Sequence, residues 1–93
     1  INCETIKKAV CKKYGIKLAD IESSKRKREF SHPRQIAMYL CREMTDRSLP
    51  KIGEYFGGRD HTTVLHAYDK IASEIKNNEV LADEIHQLKE DIE

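Results

Sequence analysis

The chain has 93 residues, enough for one small domain with a single modest core. Charged residues make up 35% of it and the mean hydropathy is −0.70. No apolar run approaches the roughly 18 residues of a membrane span, and no secretory signal is visible, so a cytoplasmic setting is expected. The net charge of +1 conceals a polarity. Residues 1–59 hold 14 Lys and Arg against 7 Asp and Glu, whereas residues 60–93 hold 3 against 9. A basic first part before an acidic tail suits a polyanion on one surface, although solvated helix faces would give the same totals. Cys3, Cys11 and Cys41 are odd in number and lack CxxC spacing, which argues against a disulfide framework. Cys41 falls at a core spacing. The first residue is Ile1 rather than Met, as expected of a segment from a longer protein.

Taken in order, Asn2 can cap a first helix, Cys3–Tyr14, and Gly15 can end it. Ile1 and Ile6 have the spacing of a hydrophobic staple. Ile6, Val10 and Tyr14 form an apolar stripe. Lys7, Lys8, Lys12 and Lys13 lie largely off it and read as a solvated face, with weak contact to acidic phospholipid as the alternative. Ile16, Leu18 and Ile21 suggest a short second helix over residues 18–23. The run SKRKREFSHP follows, with Lys25, Arg26, Lys27 and Arg28 as its basic centre. Such a loop can be solvated, can act as a localisation signal, or can enter a DNA groove.

Ser31 is placed to cap a third helix with Pro33 in its first turn, where a missing N–H is harmless. Ile36, Ala37, Leu40, Cys41 and Met44 share its core face. Gln35 and Arg42 fall together on the opposite face by the 100° step, and could brace a phosphate backbone. Ser48 starts a fourth helix that ends at Phe56, with Ile52 and Phe56 as its core pair. Gly57 and Gly58 break the chain tightly. A fifth helix starts at Asp60 or His61 and runs to Lys76 on a stripe of Val64, Tyr68, Ile71 and Ile75. Thr62 and His66 lie about 160° from Val64, facing outward. Asn77-Asn78 reads as a turn. Leu81, Ile85, Leu88 and Ile92 give a last amphipathic helix with acidic outer faces. No strand alternation, internal repeat or low-complexity linker interrupts this pattern. The expectation is a six-helix, all-α domain.

The fourth helix, the glycine turn and the fifth helix form a helix-turn-helix pattern, whose second helix enters the major groove by its N-terminal end. Asp60 can accept from cytosine N4, His61 can donate or accept, and Thr62 offers a hydroxyl and a methyl. Arg59 and the free N–H groups of the helix start suit phosphate. Asp60 could instead serve only as a cap. His61 and His66 are about 140° apart around the helix, unlike the paired histidines of a zinc site. No P-loop and no catalytic constellation is present, so no enzyme activity, metal or cofactor is expected in this segment.

The run GGRDHTTVLHA at residues 57–67 follows S-L-P-x-I-G-x-x-F and, further upstream, a basic loop and H-P-R-Q-I-A-M-Y-L. Together these resemble the C-terminal DNA-binding domain of the bacterial chromosomal replication initiator DnaA, across nearly the whole chain. The resemblance implies double-stranded DNA binding at DnaA boxes of the TTATNCACA type, at the replication origin on the nucleoid. It implies base contacts from Asp60, His61 and Thr62 in the major groove, thymine-methyl contacts from Leu49 and Pro50, and Arg26 in the minor groove. It assigns phosphates to Arg34, Gln35, Arg42, Arg59, Thr63 and His66, with Lys25 as a helper. It also implies that residues 1–93 are the last domain of a longer AAA+ initiator, whose ATP site and self-assembly lie elsewhere. Two rivals are a helix-turn-helix transcription regulator reading another operator, with the last helix as dimerising element, and a module gripping an acidic protein.

Overall fold

The computed structural model describes all residues, Ile1–Glu93. Six helices follow one another: α1 Cys3–Tyr14, α2 Leu18–Glu22, α3 Arg28–Met44, α4 Leu49–Tyr55, α5 His61–Asn77 and α6 Glu79–Ile92. The long helices α3 and α5 pack on each other at the centre. α4 lies on α5, α1 lies on α3, and α6 closes over α1 and α5. The domain measures 31 × 25 × 24 Å.

Local chemistry sets most boundaries. The Asn2 side chain accepts from the Thr5 N–H at 2.9 Å, satisfying one of the orphan donors of a helix start. Gly15 ends α1 at φ 67, and its N–H returns to the Cys11 carbonyl. Ser48 caps α4 through the Lys51 N–H. The core gathers the expected stripes: Ile6 and Val10, Ile36 to Cys41, Ile52 and Phe56, Val64 and Ile71, then Leu81, Ile85 and Leu88. All three cysteines are buried free thiols. No helix is long and apolar enough to cross a membrane.

Four details differ from the sequence reading. First, α3 begins at Arg28, not after Ser31, so Pro33 lies inside it. The proline removes one helical donor. The turn before it is anchored separately, because the Phe30 and Ser31 N–H groups both donate to the Lys27 carbonyl at 2.9 and 2.8 Å. The basic loop therefore shrinks to residues 23–27. Second, Lys7 is only 1% exposed rather than solvated. Third, the Asn77-Asn78 turn reduces to one residue. Asn78 ends α5 and starts α6, accepting from the Leu81 N–H on its side chain at 3.0 Å. Fourth, Ile1 stays 63% exposed, so the staple over Ile6 does not close.

The turn between α4 and α5 depends on three glycines. Gly57 and Gly58 adopt φ 79 and 80, a region that strains any residue with a Cβ. The N–H groups of Gly58 and Arg59 donate to the Gly53 carbonyl at 3.2 and 3.0 Å. This folds the turn back onto α4, and a Cβ on Gly53 would collide with the Arg59 carbonyl oxygen.

Candidate nucleic-acid interface

Asp60 caps α5. Its Oδ1 accepts from both the Thr63 N–H at 2.9 Å and the Thr63 hydroxyl at 3.0 Å. These two bonds hold its carboxyl below the ordinary aspartate range. Capping uses Oδ1 alone, and Oδ2 has no partner in the protein, so Asp60 has the means to do both things proposed for it. His61, Thr62 and Thr63 follow, all exposed, while Val64 and Ala67 turn into the core. The first turn of α5 therefore offers a carboxylate oxygen, an imidazole, two hydroxyls and unpaired N–H groups at the positive end of a 17-residue helix. Leu49 and Pro50 form the first turn of α4, with Leu49 half-buried and Pro50 exposed.

Arg26 and Lys27 are exposed in the loop, and neither side chain has a hydrogen-bond or ion-pair partner within the domain. Arg26 is thus free to reach outward. Lys25 is not. Its ammonium sits 2.6 Å from Asp20 Oδ1 and over the Phe30 ring, 4.8 Å from the centroid. The Lys25 bond is the main reason the Asp20 carboxyl lies below its usual range. In the free domain Lys25 thus braces the loop root, with its side chain still about half exposed.

Two arginines expected on phosphate turn inward. Arg34 is 6% exposed. Its Nε donates to the Ile21 carbonyl at 2.7 Å, Nη1 to Lys25 at 2.9 Å and Nη2 to Asp20 at 2.9 Å. A guanidinium with all three nitrogens donating to backbone carbonyls is a staple for the loop, and burial draws its affinity for the proton down. Arg59 donates from Nη1 to the Phe56 carbonyl and from Nη2 to the Ser23 carbonyl. It is half-buried, and burial lowers its pKa too. In the free domain backbone carbonyls thus hold both guanidinium groups, at the edge of the groove between α3 and α5. The 100° step sets Arg34 about 20° from Cys41, on the core face, but the sequence could not show backbone carbonyls arriving from residues 20–25.

Gln35 is half-buried rather than fully outward, and its Oε1 has no hydrogen-bond partner. It opens on a groove of about 270 Å³ between α3 and α5, where Ser31, Arg59, Thr63, His66 and Lys70 also lie. The groove brings Gln35, Thr63 and His66 together. It adds Lys70, which the sequence reading missed although it sits one turn after His66. Arg42 stands apart toward the end of α3, exposed, with Nη1 on the Arg47 carbonyl at 3.1 Å. Leu65 was also missed. It is 40% exposed, and the 100° step sets it about 40° from His61 and 60° from Thr62. Its signal was an apolar residue out of phase with the Val64 stripe.

The site thus presents base-edge chemistry at a helix start, a free arginine in an adjoining loop and polar groups along a groove. No three His, Cys, Asp or Glu side chains converge as metal ligands would. Residues 3–71 match the family model described as bacterial dnaA protein helix-turn-helix. The chain is 58% identical over 92 residues to the chromosomal replication initiator protein DnaA of Thermoanaerobacter sp. (strain X514), and likewise 58% to that of Thermoanaerobacter pseudethanolicus. It is 59% identical over 92 residues to the same protein of Caldanaerobacter subterraneus subsp. tengcongensis. Each alignment covers 99% of this chain and 20% of the relative, so the chain spans about a fifth of these relatives' length.

Proposed function

The chain belongs to the bacterial DnaA helix-turn-helix family, and from that premise we propose that it binds duplex DNA sequence-specifically at DnaA boxes to initiate chromosome replication. The observation that carries the reading is the start of α5. Asp60 has one carboxylate oxygen to spare after capping, and His61 and Thr62 stand exposed beside it. Those three groups would read base edges in the major groove. Leu49 and Pro50 would meet thymine methyls, and Arg26 would enter the minor groove, where a narrow A·T-rich track favours arginine. Gln35, Arg42, Thr63 and His66 would hold phosphates, joined by Lys70. Displacement of counterions by the cations makes affinity fall with salt.

One copy reading one asymmetric box fits a further observation. The α6 stripe that a dimeric regulator would need is already spent, since Leu81, Ile85 and Leu88 are buried in the domain's own core. This favours the initiator over a stand-alone dimeric repressor. The segment's part is binding rather than catalysis. ATP and contacts with other copies are assigned to the remainder of the initiator, and its setting to the cytoplasm, where the chromosome lies. Fluorescence anisotropy with a DnaA-box duplex and a scrambled duplex, across a salt series, tests the reading. Preference for the box that persists as salt rises supports it. Equal binding to both duplexes refutes it.

A further inference from the structure

Lys7 is the one lysine the fold buries, and DNA recognition as described above makes no use of it. Its Nζ lies 2.7 Å from Glu22 Oε2, 2.6 Å from the Tyr55 carbonyl and 2.9 Å from Glu4 Oε1. Three ammonium protons thus meet three acceptors. The rings of Phe56 and Tyr55 flank it at 5.5 and 5.8 Å. Burial alone would lower its pKa, but Glu22 and Glu4 outweigh that and hold it above the ordinary lysine value.

The acceptors matter more than the charge. Tyr55 is the last residue of α4, and its carbonyl is one that the helix leaves unpaired. The glycine turn leading to α5 starts immediately beyond. Glu22 is the last residue of α2, and Ser23 opens the basic loop. One buried ammonium on α1 therefore joins the root of the basic loop to the root of the helix-turn-helix turn. Around it the same two roots meet again. Arg59 bridges the Ser23 and Phe56 carbonyls. Gly57 lies so close that a Cβ there would collide with the Glu22 carbonyl oxygen.

A buried charge is a poor source of stability, since well-packed apolar residues often do as well. What three directional bonds supply is fixed geometry. We propose that Lys7 is a positioning residue for DNA recognition. It sets where Arg26 stands relative to Asp60, His61 and Thr62, so that the two grooves are read as one rigid unit. This rests on the DNA-binding reading above, and the experiment separates the two.

The test is a double-mutant cycle of Lys7→Met and Arg26→Ala in the 93-residue chain, after circular dichroism has verified folding. Anisotropy is measured on a DnaA-box duplex, on one with its A·T-rich flank changed to G·C, on one with its major-groove positions changed, and on a scrambled duplex. Lys7→Met is expected to weaken box binding roughly tenfold, the scale of coupled neighbours. The loss should come from the flank, with major-groove discrimination kept within about twofold, the usual limit of additivity. Arg26→Ala should then cost little more in the Lys7→Met background. If Arg26→Ala costs the same factor in both backgrounds, or flank and major-groove discrimination fall together, the positioning role is overturned. If Lys7→Met does not fold, Glu22→Ala takes its place in the cycle with the same expectations, because Glu22 is half exposed and its loss leaves Lys7 on Tyr55 and Glu4. A parent chain that fails to prefer the box over the scrambled duplex overturns the DNA reading itself.

Discussion

Asp60→Asn separates capping from base reading. Asparagine caps a helix about as well as aspartate, and its Oδ1 can accept from the Thr63 N–H and hydroxyl as the carboxylate does at 2.9 and 3.0 Å. The second oxygen becomes an NH₂, which cannot accept from cytosine N4. A lost base contact of this kind corresponds to roughly 5- to 150-fold in affinity. Removing a negative charge beside phosphates pushes the other way on any duplex. Asp60→Asn should therefore bind the box more weakly and scrambled DNA slightly more tightly, with a thermal midpoint within about 2 °C of the parent. Asp60→Ala, which also loses the cap, should melt about 4–8 °C lower. The pH dependence agrees in sign. The folded carboxyl lies below its unfolded value, so its contribution is complete above pH ~4 and is lost as pH falls through the depressed value. Asp60→Asn should lack that acid-side slope. Calorimetry from pH 2 to 7 and anisotropy at pH 7 check the pair of claims. If Asp60→Asn binds both duplexes equally well or better than the parent, Asp60 is a cap and nothing more.

The other substitutions divide by the contact each side chain would make. His61→Ala or Thr62→Ala should each cost roughly 5- to 150-fold on the box and little on random DNA, and equal losses on both would remove them from base reading. Leu65→Ala should cost about threefold on the box through a lost methyl contact, whereas unchanged affinity leaves Leu65 as ordinary surface. Arg42→Ala should weaken all duplexes alike and flatten the log–log salt slope by about one; an unchanged slope in titrations from low to high salt would return Arg42 to the solvent. Arg34→Met should lower folding stability by about 2–4 kcal/mol, because carbonyls of Asp20, Ile21 and Lys25 lose their donor. Urea unfolding checks it, and a loss under about 0.5 kcal/mol would mean water replaces the guanidinium freely.

The helices and the recognition turn were legible in the sequence because their causes are local. Asn2, Ser48 and Asp60 cap the helices they were expected to cap, since a side chain three residues from its N–H needs nothing from elsewhere in the chain. The start of α3 was misplaced because Ser31-His32-Pro33 imitates a local start signal, while the actual start depends on the Lys27 carbonyl taking two donors. Gly57 and Gly58 announced a turn. Gly53 did not, because its need for a bare Cα comes from the Arg59 carbonyl folding back on it. The cations were the least legible. Lys7 and Arg34 sit at core phase, about 40° from Cys3 and 20° from Cys41 by the 100° step, but their charge argues for solvent, and only the carbonyls brought from α2, α4 and the loop explain why they and Arg59 turn inward.

That division of the cations has an energetic consequence. A dimeric helix-turn-helix protein gains precision from symmetry, because two recognition helices a fixed distance apart must both fit. A single domain on an asymmetric site needs its second anchor from its own chain, and under the proposed function that would be the loop at residues 23–27. Ordering a free loop during binding would cost about 1–2 kcal/mol per residue, which over this length rivals the gain from several base contacts. Arg34 and Arg59 hold the loop's carbonyls before DNA arrives, and Lys7 fixes its root. The cost of ordering is then met in folding, where the buried core offsets it. Under the proposed function, Arg26 would then bind without first organising the loop that carries it.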